Sequence, residues 1–110
     1  MNQREAPIYT DSFQLCGWLL EHFDADPGVL ARELVSTALA LHKHLVLALW
    51  LPEPAPELDL ADEALILLRA LLRLAEASRK LSQDQLLYAL ERADAIGRQL
   101  GGWLRREGGR

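Results

Sequence analysis

The chain is 110 residues long, half apolar by composition and −4 in formal net charge, which leaves room for one domain built on one core, spanning residues 1–110. Its single cysteine, Cys16, excludes an internal disulfide and fits a reducing, cytoplasmic setting. The longest apolar run, residues 45–51, is far shorter than the roughly twenty residues of a membrane span, and the start MNQREAPIYT lacks the apolar stretch of a signal peptide.

A first helix is expected over about residues 8–23, opened by Pro7, whose missing N–H would be unpaired in a first turn anyway. Its inner face is Ile8, Ser12, Leu15 and Leu19, widened by Trp18 and Phe23. Asp26 and Pro27 supply an N-cap acceptor and an N1 proline for a second helix over 27–51, which stops at Pro52. The segment PEPAPE at 52–57 reads as an extended spacer. Asp59 then caps a third helix over 60–79. This helix carries two adjacent apolar stripes: Ala61, Leu65, Leu68, Leu72 and Ala75, beside Leu60, Ala64, Leu67, Leu71 and Leu74. So wide a face needs more than one neighbour.

The turn into the fourth helix carries the clearest local signal. Ser82 and Gln85 form a capping box, and Leu81 with Leu86 forms a hydrophobic staple, so the helix starts at Gln83 and runs to about 106. Along it Leu86, Leu90, Ala93, Gly97, Leu100 and Leu104 recur at alternating steps of four and three, the spacing of a bundle seam. No strand alternation interrupts the helices. The expected fold is all-α, an antiparallel up-and-down four-helix bundle. The apolar surface on the second and third helices exceeds what a lone bundle of this size buries, which predicts an oligomer.

Charge divides unevenly. Residues 1–64 hold three basic side chains against eleven acidic ones, and residues 65–110 hold nine against five. The positive surface therefore belongs to the third and fourth helices. Arg69, Arg73, Arg79 and Lys80 on and after the third helix, with Arg92, Arg98, Arg105 and Arg106 on the fourth, are the candidate nucleic-acid or partner contacts. The competing reading is a solvated face laced with Glu76–Lys80 and Asp94–Arg98 pairs. Gly97 and Gly101, four apart inside a helix, point to a close approach within the chain or between subunits, and Trp103 reads as a core or interface aromatic. His42 and His44, two apart on a helix, diverge and cannot grip one metal ion. No nucleophile set, phosphate loop or carboxylate pair stands in a catalytic context, so neither enzymatic activity nor a cofactor is expected.

The motifs LLRALLRLA ending at Ala75, S-x-x-Q at Ser82 and IGRQLGGWLR at 96–105 resemble the accessory variability determinant proteins of diversity-generating retroelements. The likeness is closest over 65–105 and weaker upstream, where it rests on Tyr9, Trp18, Leu19 and Leu20. That family overlaps a broader group of four-helix bundle proteins. The resemblance implies a non-enzymatic bundle that assembles as a homopentameric barrel. It implies binding to the reverse transcriptase and the template-repeat RNA in support of mutagenic retrohoming. The net acidity departs from the basic character of many members and ranks the reverse transcriptase ahead of RNA as a partner. The alternative is a structural or regulatory bundle acting through protein contacts alone.

Overall fold

The computed structural model describes residues 6–108, and these form four helices with no strand among them. The helices are α1 (Pro7–Phe23), α2 (Val29–Trp50), α3 (Ala55–Ala77) and α4 (Gln83–Arg106). Each packs against its neighbour in the chain, and α1 also packs against α4, which closes the ring. None of them is long and apolar enough to cross a membrane.

The core is a leucine and alanine column with contributions from all four helices. Leu15 and Leu19 of α1 meet Leu34, Leu41 and Leu45 of α2, Leu58, Leu65, Leu68 and Leu72 of α3, and Ile96 and Leu100 of α4. The first apolar stripe of α3 is fully buried as expected. Its second stripe is not: Leu60, Leu67 and Leu74 face outward. On α4 the buried set is Ala89, Ala93, Ile96, Leu100 and Leu104. Leu86, Leu90 and Gly97, expected in the seam, are only half-buried. They lie on the flank of the helix, where Gly97 meets Leu65 and Arg69 of α3. Cys16 is buried, and burial pushes its thiol pKa up, so it behaves as a small apolar side chain.

Several helix ends depart from the sequence expectation, each for a local reason. α2 begins at Val29 rather than at Pro27, because the Asp26 carboxylate accepts the Gly28 N–H at 2.8 Å and holds 26–28 in a turn, leaving Gly28 as the N-cap. α3 begins at Ala55, so Asp59 is an interior residue and not a cap. A helix's first-turn N–H groups have no internal partner, so Pro56 at the second position costs no hydrogen bond and its fixed φ suits the turn. The connection between α2 and α3 is accordingly only residues 51–54, and it is not extended throughout, since Pro54 is already helical at φ −78°, ψ −17°.

At its other end α3 stops at Ala77 in a Schellman motif. Lys80 N–H donates to the Ala75 carbonyl at 2.7 Å and Arg79 N–H to the Glu76 carbonyl at 2.9 Å, with Arg79 left-handed at φ 63°. The capping box of α4 forms as expected: Gln85 N–H donates to Ser82 Oγ at 3.1 Å and Ser82 N–H to Gln85 Oε1 at 2.8 Å. Of the Gly108-Gly109 tail, Gly108 is left-handed beyond the helix and Gly109 lies outside the described residues.

Candidate partner-binding surface

The eight basic residues singled out from the sequence do not form one patch. Three are engaged inside the fold. Arg69 reaches from α3 across α4, with Nη2 3.1 Å from Asp94 Oδ1 and 3.5 Å from the Ala93 carbonyl. Lys80 Nζ lies 3.2 Å from Asp26 Oδ2, and the Lys80 carbonyl accepts from His22 Nε2 at 3.1 Å. These contacts tie the α1–α2 loop to the α3–α4 loop. The Gly28 N–H and then the Lys80 ammonium hold the Asp26 carboxyl below its ordinary pKa. Arg92 folds back over the Tyr88 ring at 5.4 Å.

The expected Asp94–Arg98 and Glu76–Lys80 pairs are therefore replaced by tertiary ones: Asp94 goes to Arg69 and Lys80 goes to Asp26. Among the described residues no carboxylate pairs with Arg73, Arg79, Arg98, Arg105 or Arg106, all of them exposed. Arg73 and Arg79 project from the α3 end of the molecule. Arg98, Arg105 and Arg106 gather at the last turns of α4. The Arg105 and Arg106 guanidiniums approach the same point above Gly102, reaching 3.9 and 3.4 Å from where its Cβ would stand.

The two glycines named with them have different settings. A Cβ on Gly97 would lie 2.6 Å from Arg69 Nη2 and 3.4 Å from Leu65 Cδ2, so this glycine makes way for Arg69 to cross α4 within the chain. Gly101 has no such neighbour; the closest atom to its Cβ position is Arg105 Nη1 at 3.6 Å. Half-buried Trp103 packs against the core and lines a groove of about 370 Å³ together with Ala6, Pro7, Ile8, Leu49, Arg98, Gln99, Gly102 and Arg106. This groove sits where the start of α1, the end of α2 and the end of α4 meet.

Two side-chain clusters were not anticipated from the sequence. Trp18 of α1 stacks on His22 at 5.4 Å and leans on Tyr88 of α4 at 5.2 Å, so with Arg92 they make a ladder across the α1–α4 seam. The only sequence trace of it is two pairs at helical i, i+4 spacing, Trp18 with His22 and Tyr88 with Arg92. The second cluster lies between α1 and α2. His42 packs edge-on to Tyr9 and Phe13 at 5.1 and 5.8 Å, with Nδ1 2.7 Å from the buried Ser12 Oγ. Ser12 in turn donates to the Tyr9 carbonyl at 3.2 Å, which leaves its oxygen to accept from the imidazole N–H. Burial lowers the His42 pKa. His44, two residues on, points instead to α3, where Nδ1 donates to Glu57 Oε2 at 2.6 Å. The two imidazoles thus diverge, and no group of three metal-ligating side chains converges among the described residues.

What the surface offers at one end of α4 is a set of guanidiniums with no carboxylate partner among the described residues, beside an apolar groove. Comparison with protein-family models, with curated proteins and with solved structures yields no significant match.

Proposed function

We propose that this chain is a non-enzymatic accessory protein of a diversity-generating retroelement, which binds the element's reverse transcriptase and its template-repeat RNA. The observation that carries the proposal is the segment 65–105, whose LLRALLRLA and IGRQLGGWLR motifs resemble the accessory variability determinant family. The placement of its charges supports the same reading, since Arg73, Arg98, Arg105 and Arg106 stand exposed and unpaired among the described residues. Guanidiniums so placed are available to phosphates or to a partner's carboxylates.

In this reading the helices run antiparallel, up and down. The Lys80–Asp26 clasp between the first and third loops favours that arrangement, as does the groove shared by the start of α1 and the ends of α2 and α4. The assembly is an oligomer, a homopentamer by the family resemblance. Its apolar contact surface would include the outer stripe of α3, where Leu67 and Leu74 remain 49% and 52% exposed.

The test is a pull-down with the reverse transcriptase encoded beside the gene, paired with a salt-titrated binding assay on the template-repeat RNA. Retention of the enzyme is expected, with RNA binding that falls steeply as salt rises. Exchanging Arg73, Arg98 and Arg105 together for Glu should weaken both and leave helicity intact. Absence of both interactions at low salt would remove the proposal. The alternative, a scaffold acting through protein contacts alone, is favoured by the −8 charge of residues 1–64, and it predicts enzyme or protein binding with no RNA component.

A further inference from the structure

We propose that the groove at the α1–α2–α4 end is a docking site for an acidic peptide segment of a partner protein, one that carries an apolar anchor residue between carboxylates. This goes beyond the retroelement reading and does not require it. The groove has two chemically distinct parts. Its floor is apolar, formed by Ala6, Pro7, Ile8, Leu49 and Trp103, with Gly102 presenting bare backbone in place of a side chain. Its volume of about 370 Å³ lies in the range of pockets that enclose a small ligand or an anchoring side chain. Its rim is cationic: Arg98 and Arg106 stand one turn to either side of Gly102 on the same stripe of α4.

Both arginines lack a carboxylate among the described residues. Among the described residues, the nearby acids pair with neither of them. Asp94, one turn from Arg98, is held by Arg69. Asp11 of α1 accepts from Gln99 Nε2 at 2.7 Å. Glu107 is exposed past the helix end and pairs with neither arginine. Two planar forks flanking an apolar floor suit carboxylates that can be held bidentately on either side of a buried side chain. A nucleic-acid backbone would satisfy the rim and leave the floor uncovered, whereas an acidic segment with a leucine, isoleucine or aromatic residue matches both parts. Burying that anchor and excluding water around the guanidinium–carboxylate pairs is the arrangement of an interface hot spot.

The experiment is a selection of a displayed random dodecapeptide library on the full chain, with the Arg98→Glu/Arg106→Glu variant as the counter-target. Circular dichroism and thermal unfolding establish that the variant is folded. The expected result is enrichment of peptides that combine Asp or Glu with a large apolar residue, and at least tenfold weaker binding of a labelled enriched peptide to the variant by fluorescence anisotropy. The same peptide with Lys in place of its acids should bind the variant better than it binds the natural chain. Gly102→Leu, which fills the groove and leaves both charges in place, should also abolish binding.

Several outcomes overturn the inference: no enrichment, enrichment of basic or purely apolar peptides, or equal binding to natural chain and variant. Loss of oligouridylate binding in the variant with peptide binding untouched would assign the arginines to RNA. A change of oligomeric state in the variant by sedimentation would assign the groove to a second copy of this chain.

Discussion

The contrast between Gly97 and Gly101 allows the role of Arg69 to be measured. A helix-interior glycine is less stable than alanine by about 0.5–1 kcal/mol, so Gly→Ala on α4 should stabilise the protein wherever space permits. At Gly101 the nearest atom to the new methyl is the mobile tip of Arg105 at 3.6 Å, an ordinary contact, and the full gain is expected. At Gly97 the methyl would stand 2.6 Å from Arg69 Nη2. The guanidinium must then shift, which weakens its pair with Asp94 at 3.1 Å and the weak contact to the Ala93 carbonyl. Both partners are partly exposed, so that pair is worth about 0.2–1 kcal/mol, close to the propensity gain.

Gly97→Ala should therefore leave stability near its starting value while Gly101→Ala raises it. In an Arg69→Ala background the obstacle is gone, and Gly97→Ala should regain the full increment, a coupling of about 0.5–1 kcal/mol. Urea and thermal unfolding followed by circular dichroism resolve such differences, since 1 kcal/mol moves the midpoint of a domain this size by about 4 °C. Equal effects of the two glycine substitutions, or no coupling to Arg69, would refute the argument that Gly97 exists to let Arg69 cross α4. Destabilisation by Gly101→Ala that deepens on dilution would place that glycine in a subunit contact.

The left-handed Arg79 offers a second test: Arg79→Gly relieves the Cβ clash at φ 63° and should stabilise by about 1 kcal/mol, read as a higher urea midpoint at unchanged slope. The third concerns pH. Burial depresses the His42 pKa, so the unfolded chain takes up this proton first; the contribution of His42 to stability is complete above about pH 6.5 and declines as pH falls through the lower folded value. Stability measured by urea unfolding should thus drop more steeply between neutral and mildly acidic pH in the natural chain than in His42→Gln, and parallel curves would show that the imidazole is not held neutral among Ser12, Tyr9 and Phe13.

The elements legible in the sequence are those fixed by contacts within a few residues. The capping box at Ser82 and the buried stripe of α3 from Ala61 to Ala75 depend on i, i+3 and i+4 relations, and both form as expected. The starts of α2 and α3 misled because proline has two opposite meanings. It excludes a helix interior yet fits a helix's first turn, and the proline itself does not decide that Pro56 lies inside α3 while Pro27 lies outside α2. For Pro27 the decision comes from Asp26, which is drawn to the Gly28 N–H and to Lys80 in another loop. That contact spans more than fifty residues of chain and has no signature in either segment alone.

The same distinction governs the basic surface. Charge counting finds eight candidate cations on and after the third helix, and helical spacing assigns them the nearest acids, Glu76 and Asp94. Packing reassigns those acids, because once α3 and α4 are side by side Asp94 is within reach of Arg69 across the bare backbone of Gly97. A guanidinium emerging from a heavily apolar helix gains more from a fixed partner across the seam than Arg98 would from a solvated neighbour on its own helix. Arg98 is left without a carboxylate among the described residues as a direct consequence, and so its charge stands toward the far end of α4, beside the groove floored by Ile8, Leu49 and Trp103. The bridge that holds α4 against α3 thus also determines which arginines face outward. Breaking it should alter binding at the groove without touching it: in Arg69→Ala, Asp94 is released toward Arg98, and affinity for any anionic partner at that rim should fall even though both rim arginines remain.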